Sequence, residues 1–254
     1  MGDFPEGLKH WRHHRRLSQL QLSVESGVSP RHLAFLETGR ARPSRGKVLR
    51  LAEVLGLPRG EANALLGAAG FVGQFPVLPL GAAEMARVRQ AMDWTISRHA
   101  PYPAMILDRL WRIVAMNRPA EHLFGPAGLV PGVSLLVVAE NLTLFAALVE
   151  NWAEVGHHTL QRLRAESAKA GGVAELDRVI AVLAAEPKIA GFQPQGEGRV
   201  VVPTIYRMGE TRLALFSTYA QFGSAEEVAL AEMKIELMFP ADAQAEALLR
   251  RLAP

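Results

Sequence analysis

Between Leu17 and Arg45 the chain is cut at short, regular intervals by residues that begin or end helices. Ser18 and Ser29 each stand where a side-chain oxygen can accept from a free N–H of the first turn. Pro30, at the first helical position, has no N–H to leave unpaired. Gly27, Gly39 and Gly56 follow apolar segments and tolerate the positive φ of a helix end. The cuts predict helices over about Glu6–Arg16, Gln19–Ser26, Ser29–Thr38 and Ser44–Leu55, with Pro58 opening a fifth. Leu8, Trp11 and Arg12 lie near one another on a face of the first. So many short helices with so little chain between them specify a compact all-helical domain.

The second and third helices, joined by a tight glycine turn, need apolar residues where they cross and a small one where backbones meet. Leu22, Leu33 and Leu36 supply the first and Ser23 the second. Arg31, His32 and Phe35 are left on an outer face, free for a groove. Charge agrees with this. Residues 1–60 carry 11 Lys and Arg against 5 Asp and Glu, and residues 61–254 carry 17 against 20. A basic excess confined to the first quarter suits a small polyanion-binding module joined to a larger, nearly neutral domain. A solvated basic face has the same arithmetic.

The run from Leu17-Ser-Gln through Gly27-Val-Ser29 and Leu36-Glu-Thr-Gly-Arg40 to Pro43-Ser44 resembles the XRE, phage-repressor-like helix-turn-helix family over about residues 6–60. The resemblance implies binding of operator DNA, commonly as a homodimer, with half-sites about 34–36 Å apart or a multiple of that. Carried over residue by residue, it implies that Gln19 meets the DNA backbone at the edge of the site. Ser29, Pro30, Arg31, His32 and Phe35 lie where the family meets the major groove. Arg31 suits a bidentate contact to guanine, and Pro30 and Phe35 suit a thymine methyl better than the amides some members carry. Arg40, Arg42, Arg45 and Lys47 then neutralise phosphates. Arg12 and Glu37 match a family pair that ties the first helix to the third and makes no DNA contact.

From Ala62 to Ala83 no residue is charged, but glycines and prolines interrupt the stretch well short of the roughly 20 apolar residues of a membrane span. It reads as the end of a domain over residues 1–70 and a linker over 71–83. The start of the chain lacks the basic-then-apolar pattern of a secretory signal, so a cytoplasmic protein is expected. There are no cysteines, which excludes disulfides, thiolate zinc sites and thiol redox switches. With 49% apolar and 21% charged residues, the remaining chain can bury a core of its own.

In residues 84–254 the periodicities predict a helix over Glu84–His99, strands over Ala104–Leu107 and Trp111–Ala115, and a short helix that Asn117 opens and Phe124 ends. Helical spacing covers 134–166 and 173–186. Strands follow over Arg199–Ile205, Leu213–Tyr219 and about Met233–Phe239, the first two flanking a turn at Met208–Glu210. Gly196–Gly198 marks another turn, and a last helix runs from Asp242 to Leu252. The whole is an α+β chain: an all-α head of five helices, then an antiparallel sheet with helices.

Such a body is an enzyme, a dimerisation domain or a sensor. No serine-hydrolase, zinc-protease, P-loop or dinucleotide motif is present, so no catalytic residue and no cofactor is assigned. His157 and His158 beside Glu154 do not make a metal site, because neighbours on a helix point about 100° apart. His122, next to Glu121, is equally unremarkable. Pro103–Asp108, Trp111–Asn117 and Pro119–Gly125, with Thr218–Gly223 and Ile235–Asp242, resemble a PAS domain and more closely the MmyB-like ligand-binding domain found behind XRE heads. That resemblance implies a PAS-like fold and a small apolar ligand of the fatty-acid type. Residues suited to line its pocket are Met105, Leu107, Trp111, Ile113, Leu123, Phe124, Leu144, Phe145, Trp152, Phe216 and Tyr219, although for any single one a place in a packed core is the favoured reading. Arg112, Arg118 and Arg207 are the candidates for a carboxylate head, while Asn117 suits a helix cap. The competing reading is a constitutive repressor whose second domain only dimerises.

Overall fold

A computed structural model describes residues 3–193, 200–209, 211–223, 225 and 227–252. The chain divides into two compact units, one of residues 1–77 with the short stretches 166–173 and 225–231, the other of the remainder.

The first unit is built on five helices: α1 (Phe4–His14), α2 (Gln19–Ser26), α3 (Pro30–Glu37), α4 (Arg45–Val54) and α5 (Arg59–Ala68). The caps act as the sequence predicts. Ser18 forms a capping box with Gln21, Ser29 accepts from His32 N and Ser44 from Lys47 N. Gly27 takes φ 72° at the end of α2. The α1 boundary differs: Asp3 caps it through Glu6 N, so the helix starts at Phe4, and it stops at His14. Leu8, Trp11, Leu22, Leu33, Leu36, Leu51, Leu55 and Leu65 form its core. The buried Ser23 hydroxyl donates to the Val28 carbonyl at 2.6 Å, closing the turn between α2 and α3. The first half of the expected linker is not loose. Asn63 accepts from Gln74 N and Phe75 N and donates to the Phe75 carbonyl, and Arg59 lies 4.9 Å from the Phe75 ring centre.

In the second unit α6 (Ala86–Arg98) precedes β1 (Ala104–Leu107), β2 (Ile113–Met116) and α7 (Arg118–Phe124). There follow α8 (Leu136–Glu140), α9 (Leu142–Leu148), α10 (Trp152–Lys169), α11 (Ala174–Ala185) and α12 (Pro187–Ala190). β3 (Thr204–Met208), β4 (Thr211–Ala220), α13 (Val228–Glu232), β5 (Lys234–Pro240) and α14 (Ala243–Leu252) complete the chain; most of α13 and the end of α10 fall in the stretches grouped with the first unit. The sheet is antiparallel throughout, in the order β2-β1-β5-β4-β3. The last strand therefore inserts between β1 and β4. β1 is buried along its whole length, as a central strand covered on both faces must be.

The helical spacing over 134–166 is divided among α8, α9 and α10, because Asn141 caps α9 and Val149 leaves helical geometry to bridge Tyr206 of β3. Glu150 N donates to the Ile205 carbonyl and Asn151 bonds Ile205 N and the Pro203 carbonyl, so an edge-strand partner outcompetes the local periodicity. The strand expected over Arg199–Ile205 instead occupies Thr204–Met208. Helix α13 is an element the periodicity does not single out. Arg199, Glu210 and the turn at Gly196–Gly198 lie outside the described residues.

Candidate nucleic-acid face and ligand cavity

The face of α3 is set by what its other side buries. Leu33, Leu36 and Glu37 point inward, leaving Pro30 and Arg31 exposed and Phe35 half-buried outside. The Arg31 guanidinium lies 5.5 Å from the Phe35 ring centre, so the two side chains share the surface. Ser29, as the cap, sits at the N-terminal edge of this face. His32 is half-buried, and its Nε2 accepts from the Lys47 ammonium at 3.2 Å, which links the start of α3 to the start of α4. Ser29, His32, Ser44, Gly46, Lys47 and Arg50 line one concavity between the two helix starts. The first N–H groups of α4 have no carbonyl inside the helix, an arrangement suited to an anionic oxygen. Arg40, Arg42 and Arg45, in the segment leading into α4, are exposed, Arg45 in contact with Gln74.

Gln19 is less available than the sequence implies, because its amide donates to Glu37 at 2.8 Å. Arg12 grips the same carboxylate with two bonds, at 2.6 and 2.8 Å, and both members of the pair are buried. This is the architectural tie expected from the sequence, with Gln19 added.

In the second unit one face of the sheet, α7, α8, α9 and α10 enclose a cavity of about 330 Å³, within the usual range of small-molecule sites. Its walls are mostly apolar: Met105 and Met238 from the sheet, Leu123 and Phe124 from α7, Leu136 and Ala139 from α8, Phe145 and Leu148 from α9. Trp111 enters from the β1–β2 turn. The Asp108 carboxylate organises that turn by accepting from Leu110 N and Arg112 N, and Trp111 takes φ 58°, a left-handed conformation rare for a bulky residue.

Of the pocket residues expected from sequence, Met105, Trp111, Leu123, Phe124, Phe145 and Tyr219 meet at this wall. Leu107, Ile113, Leu144, Trp152 and Phe216 do not. Leu107 and Ile113 face each other in the β1–β2 pair and are fully buried as core. Trp152 carries Lys188 over its ring. Phe216 is on the opposite face of the sheet, stacked on Phe239 with ring centres 5.5 Å apart, because alternate residues of β4 point to opposite sides. Arg112 and Arg118 are exposed and outside the wall, whereas Arg207 lines it and donates to the Ala146 carbonyl. Asn117 caps α7.

The polar part of the wall has members that the sequence analysis missed. The Arg162 guanidinium of α10 lies over Tyr219, 3.4 Å from its ring centre, and 5.0 Å from that of Trp111. Behind the wall, the Lys234 ammonium is 4.1 Å from the Trp111 ring centre. Tyr219 donates to the buried Glu236 carboxylate at 2.9 Å, and Tyr206 packs on Phe124 with ring centres 5.3 Å apart. Desolvation pushes Glu236 above the ordinary carboxylate range, against hydrogen bonds from Ser217 and Tyr219 and the charges of Arg162 and Lys234. Desolvation, with the charge of Glu236, also raises Tyr219 and Tyr206, so both hydroxyls stay protonated. The signals were present: Val155, His158, Thr159 and Arg162 form one helical stripe, and Lys234, Glu236 and Met238 alternate along β5.

Among the described residues no cluster of three His, Asp or Glu is placed to hold a metal ion, and no helix is long and apolar enough to cross a membrane. His157 bonds the Ile189 carbonyl, and His158 lines the cavity.

Residues 6–65 match a helix-turn-helix domain, and residues 88–252 match the MmyB-like transcription regulator ligand binding domain. No curated protein matches the chain. Among solved structures, the PAS domain from Bordetella pertussis BvgS is similar at a TM-score of 0.31 and 15% identity, over 65% of this chain and 94% of that one. Both matched domains are those of a DNA-binding transcription regulator with a ligand-sensing part. By the match over its larger part, the chain belongs to the MmyB-like transcription regulators.

Proposed function

We propose that the protein is a cytoplasmic, non-enzymatic transcription regulator. Its head binds operator DNA as a homodimer, and its body binds a single-chain amphiphile of the fatty-acid type. The observation that carries the ligand reading is the division of the cavity wall. Most of it is apolar, and Arg162, Tyr219, Ser217 and Glu236 form one polar cluster in it, while Arg207 lines it from β3, where its pairing with Arg212 is seven residues along β4 from Tyr219. A hydrocarbon chain gains about 0.8 kcal/mol per buried CH₂ along the apolar part, while the guanidinium supplies charge-assisted hydrogen bonds to an oxygen-bearing head. On the DNA side, Arg31 and Phe35 on the outer face of α3 supply base contacts, and the basic groups around the start of α4 supply phosphate contacts.

Mass spectrometry of the purified protein, first native and then after denaturing organic extraction, tests the ligand class. The expected result is a lipid carboxylic acid near one per chain, lost on unfolding. A protein that purifies empty and takes up no added fatty acid removes this ligand class.

A further inference from the structure

Glu236 is 6% exposed, yet its carboxylate stands in the cavity wall. Polar and charged groups face it from the strands and the helix packed against it. From β4, Tyr219 donates to it at 2.9 Å and Ser217 adds a hydroxyl. From β3 comes Tyr206, from α10 Arg162, and from its own strand Lys234. Its partner on β1 is the uncharged Met105. His158 lines the same cavity from α10. A ligand carboxylate drawn to Arg162 therefore arrives beside Tyr219 and next to a second carboxylate.

Two carboxylates sharing one desolvated site do not both ionise; one holds a proton and donates it to the other. We propose that Glu236 sets the head-group rule of this cavity: an acid ligand is bound only with one proton shared between its carboxyl and Glu236, whereas an uncharged hydroxyl head is bound in either state. This rests on the fatty-acid reading above and adds its selectivity. Burial shifts the Glu236 carboxyl toward its neutral form, against the hydrogen bonds of Ser217 and Tyr219 and the charges of Arg162 and Lys234. Because the neutral form binds the anion better, affinity for a carboxylate falls as pH rises and Glu236 ionises, by up to tenfold per pH unit. An alcohol shows no such loss.

Calorimetric titration of the full chain with decanoate and with 1-decanol, from pH 6 to 9, tests this, since decanoate is already ionised in solution over that range. Expected are a decanoate affinity that falls toward pH 9 and a 1-decanol affinity that changes less than twofold, a comparison that needs no variant. In Glu236→Gln, which keeps the shape and never ionises, decanoate binding becomes flat and is tighter than wild type at pH 9. Decanoate bound with a flat wild-type profile, or with an equal fall in Glu236→Gln, overturns the head-group rule and leaves the fatty-acid reading standing. A fall that persists in Glu236→Gln and vanishes in His158→Asn assigns the effect to His158 and also overturns it. Binding of neither probe at any pH overturns both.

Discussion

The Asn117 side chain accepts from the N–H groups of Ala104 and Ala120 and donates to the carbonyls of Ile96 and Tyr102, the full capacity of a buried amide. Its role as a helix cap was readable from sequence, because an asparagine before Arg-Pro opens a helix. Its other three bonds were not, since they join α6 and β1 across chain that local pattern does not relate. Trp111 shows the reverse: its aromatic bulk marks it as a pocket residue, but its left-handed backbone depends on the Asp108 turn. Glu37 carries a prediction at this scale. Burial pushes its carboxyl upward, but hydrogen bonds from Arg12 and Gln19 and the Arg12 charge outweigh that and hold it below the ordinary carboxylate range. A depressed folded value contributes stability above the unfolded pKa near 4.3, and that stability is lost as pH falls through the folded value. Urea unfolding of the head signal should therefore weaken on acidification below about pH 4. Glu37→Gln should lose that dependence and cost about 3–5 kcal/mol at pH 7 by leaving Arg12 buried and unpaired. Arg12→Met with Glu37→Leu should cost much less; equal losses would mean the pair itself, and not the orphaned charge, carries the energy.

At the scale of elements, α3 and α4 are the most legible parts of the molecule. Their caps are side-chain hydroxyls followed within three residues by the N–H they satisfy, a purely local interaction. The basic residues around the start of α4 give a measurable footprint. Arg42→Ala and Arg45→Ala should each reduce the slope of log K against log salt by about 0.9, measured by fluorescence anisotropy on a duplex selected with the full chain. Arg31→Ala should leave that slope nearly unchanged and relax base preference instead, by about 1–3 kcal/mol at one position. An unchanged slope in both the Arg42 and the Arg45 variant would move the phosphate contacts elsewhere. Residues 134–166 were less legible. Their helical spacing is real, but Val149–Asn151 find better partners on β3, and hydrogen bonds between elements carry no signature in the periodicity.

For the whole molecule, regulation by a ligand is a coupling free energy between two sites, and it is reciprocal. A decanoate-saturated protein that binds its duplex 5- to 150-fold more or less tightly, the usual range, must bind decanoate more or less tightly by the same factor when the duplex is present. Titrating decanoate into the free protein and into the protein–DNA complex checks this. Equal decanoate affinities would separate ligand binding from DNA binding and leave the two domains energetically independent. The sequence by itself determined the two-domain plan, the caps and turns of the head, the outer face of α3 and the apolar character of the body. Each of these rests on neighbours within a few positions or on composition. Only the tertiary structure decided which apolar residues border the cavity, and which fill the core or, like Phe216, face the other side of the sheet. It alone brought Arg162, Tyr219 and Glu236 together from α10, β4 and β5, because the place of β5 between β1 and β4 is a long-range pairing that no local pattern encodes.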